Sequence, residues 1–333
     1  MQKTISIIIA IFNRKDELFE LLNSLIAQTD KNFEVIIVDD GSSVDLLPTV
    51  ETFKEMLEIQ YFKKTNSGPG LSRNYGARRA KNDWLVFVDS DVIVEKDYIE
   101  NIKKNLEKTD CAAFGGADKA HKGFNILQKA ISYSMTSVFT TGGIRGSKKA
   151  VTRFQPRSFN MGVNKEIFLK IGGFSEMRIG EDPDLSMTIW ENGYKTAFFD
   201  DIGVYHKRRT DLGKFSKQVY QFGCARPILN QRHPNYVKPT FWFPTLFLLG
   251  YVAGILEYFL LHKGFVLACY GIYTFVIFFH ALLLTKNLAI AAQAIITTYI
   301  QMFSYGYGFL ESWVKLNILR MKPEEAFPKH FHK

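Results

Sequence analysis

The stretch Trp84-Leu85-Val86-Phe87-Val88-Asp89-Ser90-Asp91 decides how this chain is read. Its first five residues are apolar, partly β-branched and bounded by polar neighbours, which predicts a buried strand. Such a strand delivers Asp89 and Asp91 at its C-terminal end, the edge where open α/β sheets collect their ligands. Two carboxylates one residue apart repel each other unless a cation sits with them. A hard divalent ion, Mg²⁺ or Mn²⁺, shared with a substrate's phosphates is the usual resolution. In isolation such a pair reads as readily as two solvated acids in a turn, so the rest of the chain must decide.

Working outward, strands and helices alternate. Thr4 to Ile11 reads as a buried first strand and not as a secretory leader: it is short, lacks a small-residue cleavage site, and runs into Asn13-Arg14-Lys15-Asp16. Asn13 is placed to cap a helix whose Leu18, Leu21, Leu22, Leu25 and Ile26 fall at helical spacing. Phe33 to Val38 is a second strand, ending in Asp39-Asp40-Gly41-Ser42-Ser43. A strand near Ile59 to Phe62 and a helix over Gly70 to Ala80 lead to the acidic triplet. This order predicts an α/β fold with a mostly parallel, doubly wound sheet and ligand loops at one edge. No G-x-G-x-x-G follows the first strand, so the dinucleotide fingerprint is missing.

Downstream, Thr140 to Arg157 is rich in glycine and bases and reads as a mobile loop, followed by a helix near Lys165 to Ile171. Gly180-Glu181-Asp182-Pro183-Asp184 then reads as a helix start, with Asp182 at the N-cap, Pro183 at the first helical position and an end at Asn192-Gly193. A helix N-terminus keeps a carboxylate ionised. That suits plain capping and equally a general base facing a cleft.

Composition divides the 333 residues. Up to about residue 238 the chain is mixed and charged; from Phe241 to Leu310 it is almost continuously apolar. Three runs, Phe241–Leu261, Phe265–Leu284 and Leu288–Leu310, are each long enough as helices to span a hydrocarbon core of roughly 30 Å. Trp242, Tyr251, Tyr258, Tyr305, Tyr307 and Trp313 supply candidate interface anchors. The net charge of +9 comes from bases gathered at 148–157, 207–217 and beyond 312, beside or approaching the apolar block. That placement fits anionic headgroups and argues against nucleic acid as a partner. Three crossings would put Lys315, Arg320, Lys322, Lys329 and Lys333 opposite a cytosolic N-terminal domain, against the positive-inside tendency. Either that tendency is overridden or one segment is re-entrant, the first segment with Pro244 and Glu257 being the candidate. Cys111, Cys224 and Cys269 form no metal or redox spacing and read as reduced residues of a cytosol-facing protein.

Ser6-Ile7-Ile8-Ile9-Ala10-Ile11-Phe12-Asn13, Val35-Ile36-Ile37-Val38-Asp39-Asp40-Gly41-Ser42, Asn66-x-Gly68, Ser72-Arg73-Asn74-x-Gly76, Asp89-x-Asp91 and Glu181-Asp182 resemble, in order and spacing, the motifs of the family 2 glycosyltransferases. The resemblance covers about residues 4 to 226. It implies a GT-A domain and inverting transfer from a nucleotide-diphosphate sugar, with Mn²⁺ or Mg²⁺ as cofactor. It implies that Ala10 and Phe12 line the nucleobase pocket, Asp40 accepts from the base edge, and Arg73 borders the nucleotide. Asp89 would approach ribose and metal, Asp91 would bind the metal, and Asp182 would be the catalytic base. His206 matches a metal or diphosphate ligand position, although a lone histidine is more often structural. Gln218-x-x-x-Phe222-Gly223-x-x-Arg226 resembles the interface segment of membrane-attached members, where Gln218 and Arg226 approach the donor; a surface helix with solvated bases is the alternative.

The chain departs from the common pattern at Arg14, where many members are acidic, and in lacking the Gln-x-x-Arg-Trp signature of processive synthases. With its apolar tail it looks more like the succinoglycan-type enzymes that extend lipid-linked oligosaccharides. The expected parts are a catalytic domain over 1–209, an amphipathic interface segment over 210–238, a transmembrane region over 239–311 and a basic tail over 312–333. The expected site is the inner (cell) membrane with the catalytic domain facing the cytoplasm, and the expected partners are a sugar nucleotide (a UDP-sugar first), the bilayer and a membrane lipid or lipid-linked saccharide. Glycosylation of a polyprenyl phosphate, processive synthesis and a non-catalytic membrane scaffold stay open as alternatives.

Overall fold

The buried strand ahead of the acidic triplet forms as Trp84–Asp89, in a computed structural model that describes residues 3–119, 124–141, 154–206 and 211–332. In chain order the elements begin β1 (Ile5–Ile11), α1 (Lys15–Ile26), β2 (Phe33–Asp39), α2 (Leu47–Glu51), β3 (Glu58–Lys63), α3 (Pro69–Ala77), β4 (Trp84–Asp89), β5 (Val92–Val94) and α4 (Tyr98–Lys108). They continue with β6 (Ala113–Lys119), α5 (Ile126–Thr136), α6 (Val138–Thr141), β7 (Asn160–Asn164), α7 (Lys165–Lys170), α8 (Glu181–Glu191) and β8 (Thr196–His206). The last long helices are α9 (Leu212–Arg232), α10 (Phe243–Leu261), α11 (Phe265–Thr285) and α12 (Leu288–Trp313). The predicted loop Thr140–Arg157 lies largely outside the described residues.

Two compact units result. One is drawn from Met1–His121, Lys148–Lys207 and Lys329–Lys333, the other from Lys122–Ser147 and Arg208–Pro328. By compactness 124–141 groups with the second unit and 329–332 with the first.

The first unit is built on one eight-stranded sheet in the order β3-β2-β1-β4-β7-β6-β8-β5. From β3 to β4 every pairing is parallel, as the βαβ order requires. Ile7, Ile9, Ile11, Val35, Ile37, Val86 and Val88 pack with α1 and α4 residues into one core. Ile8, Ile36, Val38, Leu85 and Phe87 point the other way, against Ala77, Phe168, Leu185 and Ile189. Both faces are covered, which is why these strands read as unbroken apolar runs. The sheet is mostly parallel, as expected, and mixed: β7 enters antiparallel between β4 and β6, and β5 runs antiparallel to β8. Strand direction leaves no trace in a period-two pattern, so the sequence could not report it.

The second unit is helical. α10, α11 and α12 belong to three helical spans long and apolar enough to cross a membrane. Pro244 does not interrupt the first of them. It falls in the opening turn of α10, where its missing N–H is an orphan in any helix. Glu257 is explained locally: its Oε2 accepts the Val266 N–H at 3.0 Å, one of the orphan donors at the start of α11. α12 runs along α9, with Ser216 and Ser304 hydroxyls 2.9 Å apart and the Tyr220 hydroxyl donating to Glu311 at 2.6 Å.

Candidate active site

The parallel register brings the acidic motifs to one edge. Ile11 of β1 lies opposite Asp39 of β2, and Ala10 lies opposite both Val38 and Asp89. Asp40 and the Asp89-Ser90-Asp91 corner therefore flank the end of β1 on either side. Phe12, just past that end, keeps 49% of its surface exposed, which suits a ring offered to a planar base.

Asp40 is buried and holds the loop after β3 in place. Its carboxylate accepts the Ser67 N–H at 2.9 Å and the Gly68 N–H at 2.7 Å, and it also pairs with Lys64. The Asn66 side chain donates to the Asp40 carbonyl at 2.8 Å. The Asn66-x-Gly68 motif is thus a turn folded around Asp40.

Arg73 is the centre of the site. Its guanidinium is buried on α3, donates to Asp89 at 2.7 Å and pairs with Glu181, while lying over the Phe174 ring at 5.4 Å. Asn74, the next residue, exchanges two hydrogen bonds with the Phe174 backbone at 2.7 and 2.9 Å, which fixes the turn leading to Glu181. Arg14 pairs with Asp91 in the same manner as Arg73 with Asp89. Burial pushes Glu181 up to about 7, against the lowering effect of Arg73. Asp182 is likewise raised by burial, opposed by Arg73, Arg157 and a hydrogen bond from Ser158.

The local reading of that last motif requires correction. Helix α8 starts at Glu181 with Gly180 as its N-cap at φ +88°, so Asp182 and Pro183 lie two positions further into the first turn than expected. Pro183 still falls where no intrahelical N–H is needed. Freed from capping, Asp182 keeps one buried carboxylate oxygen without a hydrogen-bond partner among the described residues. Asn13 is not a cap either: at φ +55° its side chain accepts from the Ser43 N–H at 2.8 Å and the Ser43 hydroxyl at 3.0 Å, tying together the loops after β1 and β2.

Of the expected site residues, Ala10, Phe12, Asp40, Arg73, Asp89, Asp91 and Asp182 belong to the first unit. Gln218 and Arg226 are carried on α9 of the second, where the Arg226 guanidinium lies over the Phe241 ring at 4.3 Å. The His206 backbone ends β8 opposite Val92, and its side chain lies outside the described residues. Glu181 belongs to a quoted motif without an expected role, whereas Lys64 and His332, whose imidazole lies against Gly68, fall outside the motifs.

A divalent ion can be weighed on this donor set. Among the described residues no group of three or more His, Cys, Asp or Glu is arranged to hold a metal. Asp89 and Asp91 are hard oxygen donors at the sheet edge, with the Asp89 side chain 32% exposed. They fit an ion that takes its remaining ligands from phosphate and water.

A mixed α/β sheet with carboxylates gathered at one edge is the arrangement of a GT-A-like domain. Residues 6–171 match the family model described as Glycosyl transferase family 2. A Haemophilus influenzae protein described as an uncharacterized glycosyltransferase is 33% identical over 202 residues, covering 58% of this chain and 64% of that one. Among solved structures, S. aureus TarS 1–349 in complex with UDP-GlcNAc superposes with a TM-score of 0.51 at 18% identity, over 92% of this chain and 91% of that one. The mannosyltransferase PcManGT from Pyrobaculum calidifontis, in complex with GDP-Man and Mn²⁺, gives a TM-score of 0.56 at 19% identity, over 88% and 86%. The chain belongs to the family 2 glycosyltransferases. It spans between 15% and 64% of the length of the curated relatives it matches.

Proposed function

We propose that this chain moves a sugar from a nucleotide-diphosphate donor, a UDP-sugar first among them, onto a hydroxyl of a membrane-associated acceptor, with inversion at the anomeric carbon. The observation that carries the reading is the gathering of Asp89, Glu181 and Asp182 around the buried Arg73 at the sheet edge that also presents Asp40.

The steps divide among named residues. Phe12 and the Asp40-anchored turn receive the nucleoside. Asp89 and Asp91 would hold a divalent ion, which when bound supplies positive charge to the diphosphate leaving group. Arg73 fixes Asp89 and Glu181 at the same time. Asp182 takes the proton of the acceptor hydroxyl as that oxygen attacks the anomeric carbon. The bond from the anomeric carbon to the diphosphate oxygen breaks, and its electron pair leaves with the nucleoside diphosphate. A carboxylate raised above its ordinary value is a stronger base than a solvated aspartate. No covalent enzyme nucleophile is required.

Three candidate spans in the second unit support attachment to a membrane. A lipid-linked acceptor would share that two-dimensional space, and the inner membrane with the catalytic unit facing the cytoplasm is the proposed location. The test is a panel of sugar nucleotides with Mn²⁺ and membrane extract, read by mass spectrometry of the lipid products. A new saccharide on a lipid-linked sugar supports the proposal, and its formation is expected to stop with EDTA. A product on bare polyprenyl phosphate selects the other acceptor, a ladder of lengths selects processive synthesis, and no product with any donor overturns the activity.

A further inference from the structure

The short segment 329–332 is part of the catalytic unit. The His330 carbonyl accepts the Arg178 N–H at 2.7 Å, Phe331 forms an antiparallel bridge with Met177, and the His332 N–H donates to the Glu176 carbonyl at 2.9 Å. His330 and Phe331 are buried. These three backbone links make a strap laid along residues 176–178, immediately before the Gly180-Glu181-Asp182 corner. The strap delivers one side chain to the turn around Asp40. A Cβ built on Gly68 would overlap the His332 ring, so imidazole and turn are in close contact. Gly68 also holds φ +88°, and its N–H is one of the two backbone donors to Asp40. His332 therefore stands beside the group that the family motifs assign to the base edge. Asp40, Lys64, Glu176 and Arg178 are the charged groups that act on it. Its Nε2 is buried and makes no hydrogen bond to any described residue. A buried ring nitrogen held in place by backbone links, with no protein partner, is ready for a partner that arrives from outside.

We propose that His332 is a specificity-determining residue of the donor site, whose Nε2 hydrogen-bonds the edge of the nucleobase. The inference rests on the nucleotide-sugar reading above and adds a recognition group that comes from far along the chain. Imidazole offers one donor and one acceptor and so discriminates among bases by the pattern on their edges.

The experiment is calorimetric titration of the detergent-solubilised full chain with UDP, GDP and ADP, for the wild type, His332→Ala, His332→Gln and Lys329→Ala. Lys329 is an exposed residue of the same strap and serves as the control. Loss of one neutral hydrogen bond predicts a Kd for the preferred nucleotide about 2- to 10-fold higher in His332→Ala. A smaller loss, or none, for the other nucleotides then narrows the preference, the glutamine variant restores part of it, and Lys329→Ala changes nothing. An equal weakening for all three nucleotides would reduce His332 to a structural prop and overturn the proposal. Unchanged or tighter binding in His332→Ala overturns it too, the latter by marking the strap as a plug. Failure of the nucleotide-sugar reading looks different: the wild type itself then binds none of the three.

Discussion

Arg73 is the residue on which the site depends. It is a buried cation between Asp89 and Glu181, and its charge holds down both Glu181 and Asp182 against burial. Replacing Arg73 with Ala should raise both carboxylates further. Since Asp182 must be ionised to accept a proton, the acid limb of a kcat/KM profile should move to higher pH. An acid limb that stays in place or moves down contradicts the role given to Arg73. The stability effect has its own sign. Glu181 is raised from 4.5 to about 7 in the folded chain, so between these values the folded state binds more protons than the unfolded one. Its contribution to stability therefore falls as pH rises from 4.5 towards 7. Breaking a buried pair by removing one partner costs about 3–5 kcal/mol. For Arg73→Ala that cost should shrink as pH falls and Glu181 takes up its proton, which denaturant melts at pH 5 and pH 8 would detect.

At the scale of elements, what was legible follows from what was repeated. β1, β2 and β4 announce themselves because both faces are buried, and the Asp89-x-Asp91 corner is legible because it directly follows such a run. Caps were misread where one side chain had two possible employments: Asn13 stitches two loops, and Gly180 takes the capping position ahead of Asp182. The Arg73–Glu181 pair joins residues 108 positions apart, and no local pattern reports a contact of that span. The strap at 329–332 is hidden for the same reason, inside what reads as a basic tail. Gly180 carries a prediction of its own. A side chain at φ +88° is strained by about 1–2 kcal/mol, so Gly180→Ala should destabilise by about that amount and lower kcat by displacing Asp182. A thermal melt and a turnover assay on the same preparation check it, and an unchanged kcat would show that the α8 start is not what positions Asp182.

For the whole molecule, the bridge between Phe331 and Met177 constrains the path through a membrane. If its helices insert, a chain that leaves the first unit after β8 and returns to it at 329 crosses the bilayer an even number of times. The three candidate spans are not alike: α10 buries three residues and α11 two, whereas α12 buries eleven, among them Thr297, Thr298, Gln301 and Ser312. Hydrocarbon penalises unpaired polar groups, and α12 keeps such groups against protein. We therefore expect α10 and α11 to insert as a hairpin and α12 to remain at the surface, which keeps Lys315, Arg320, Lys322 and Lys329 on the catalytic side. Single cysteines at 263, 286 and 329, placed after removal of Cys111, Cys224 and Cys269, can be labelled from each side with an impermeant maleimide. The prediction is that 263 labels from the side opposite the catalytic unit and both 286 and 329 from its own side. Label at 329 on the opposite side would break the strap and the even crossing together.

In the proposed mechanism Asp182 takes the acceptor's proton while the Asp89-Ser90-Asp91 corner holds the leaving group. The most direct test of this mechanism measures donor binding and sugar transfer side by side in Asp182→Asn, which preserves the shape of the side chain. Donor affinity should stay close to the wild type while transfer falls about 10²- to 10⁴-fold. Transfer at the wild-type rate in that variant would contradict it.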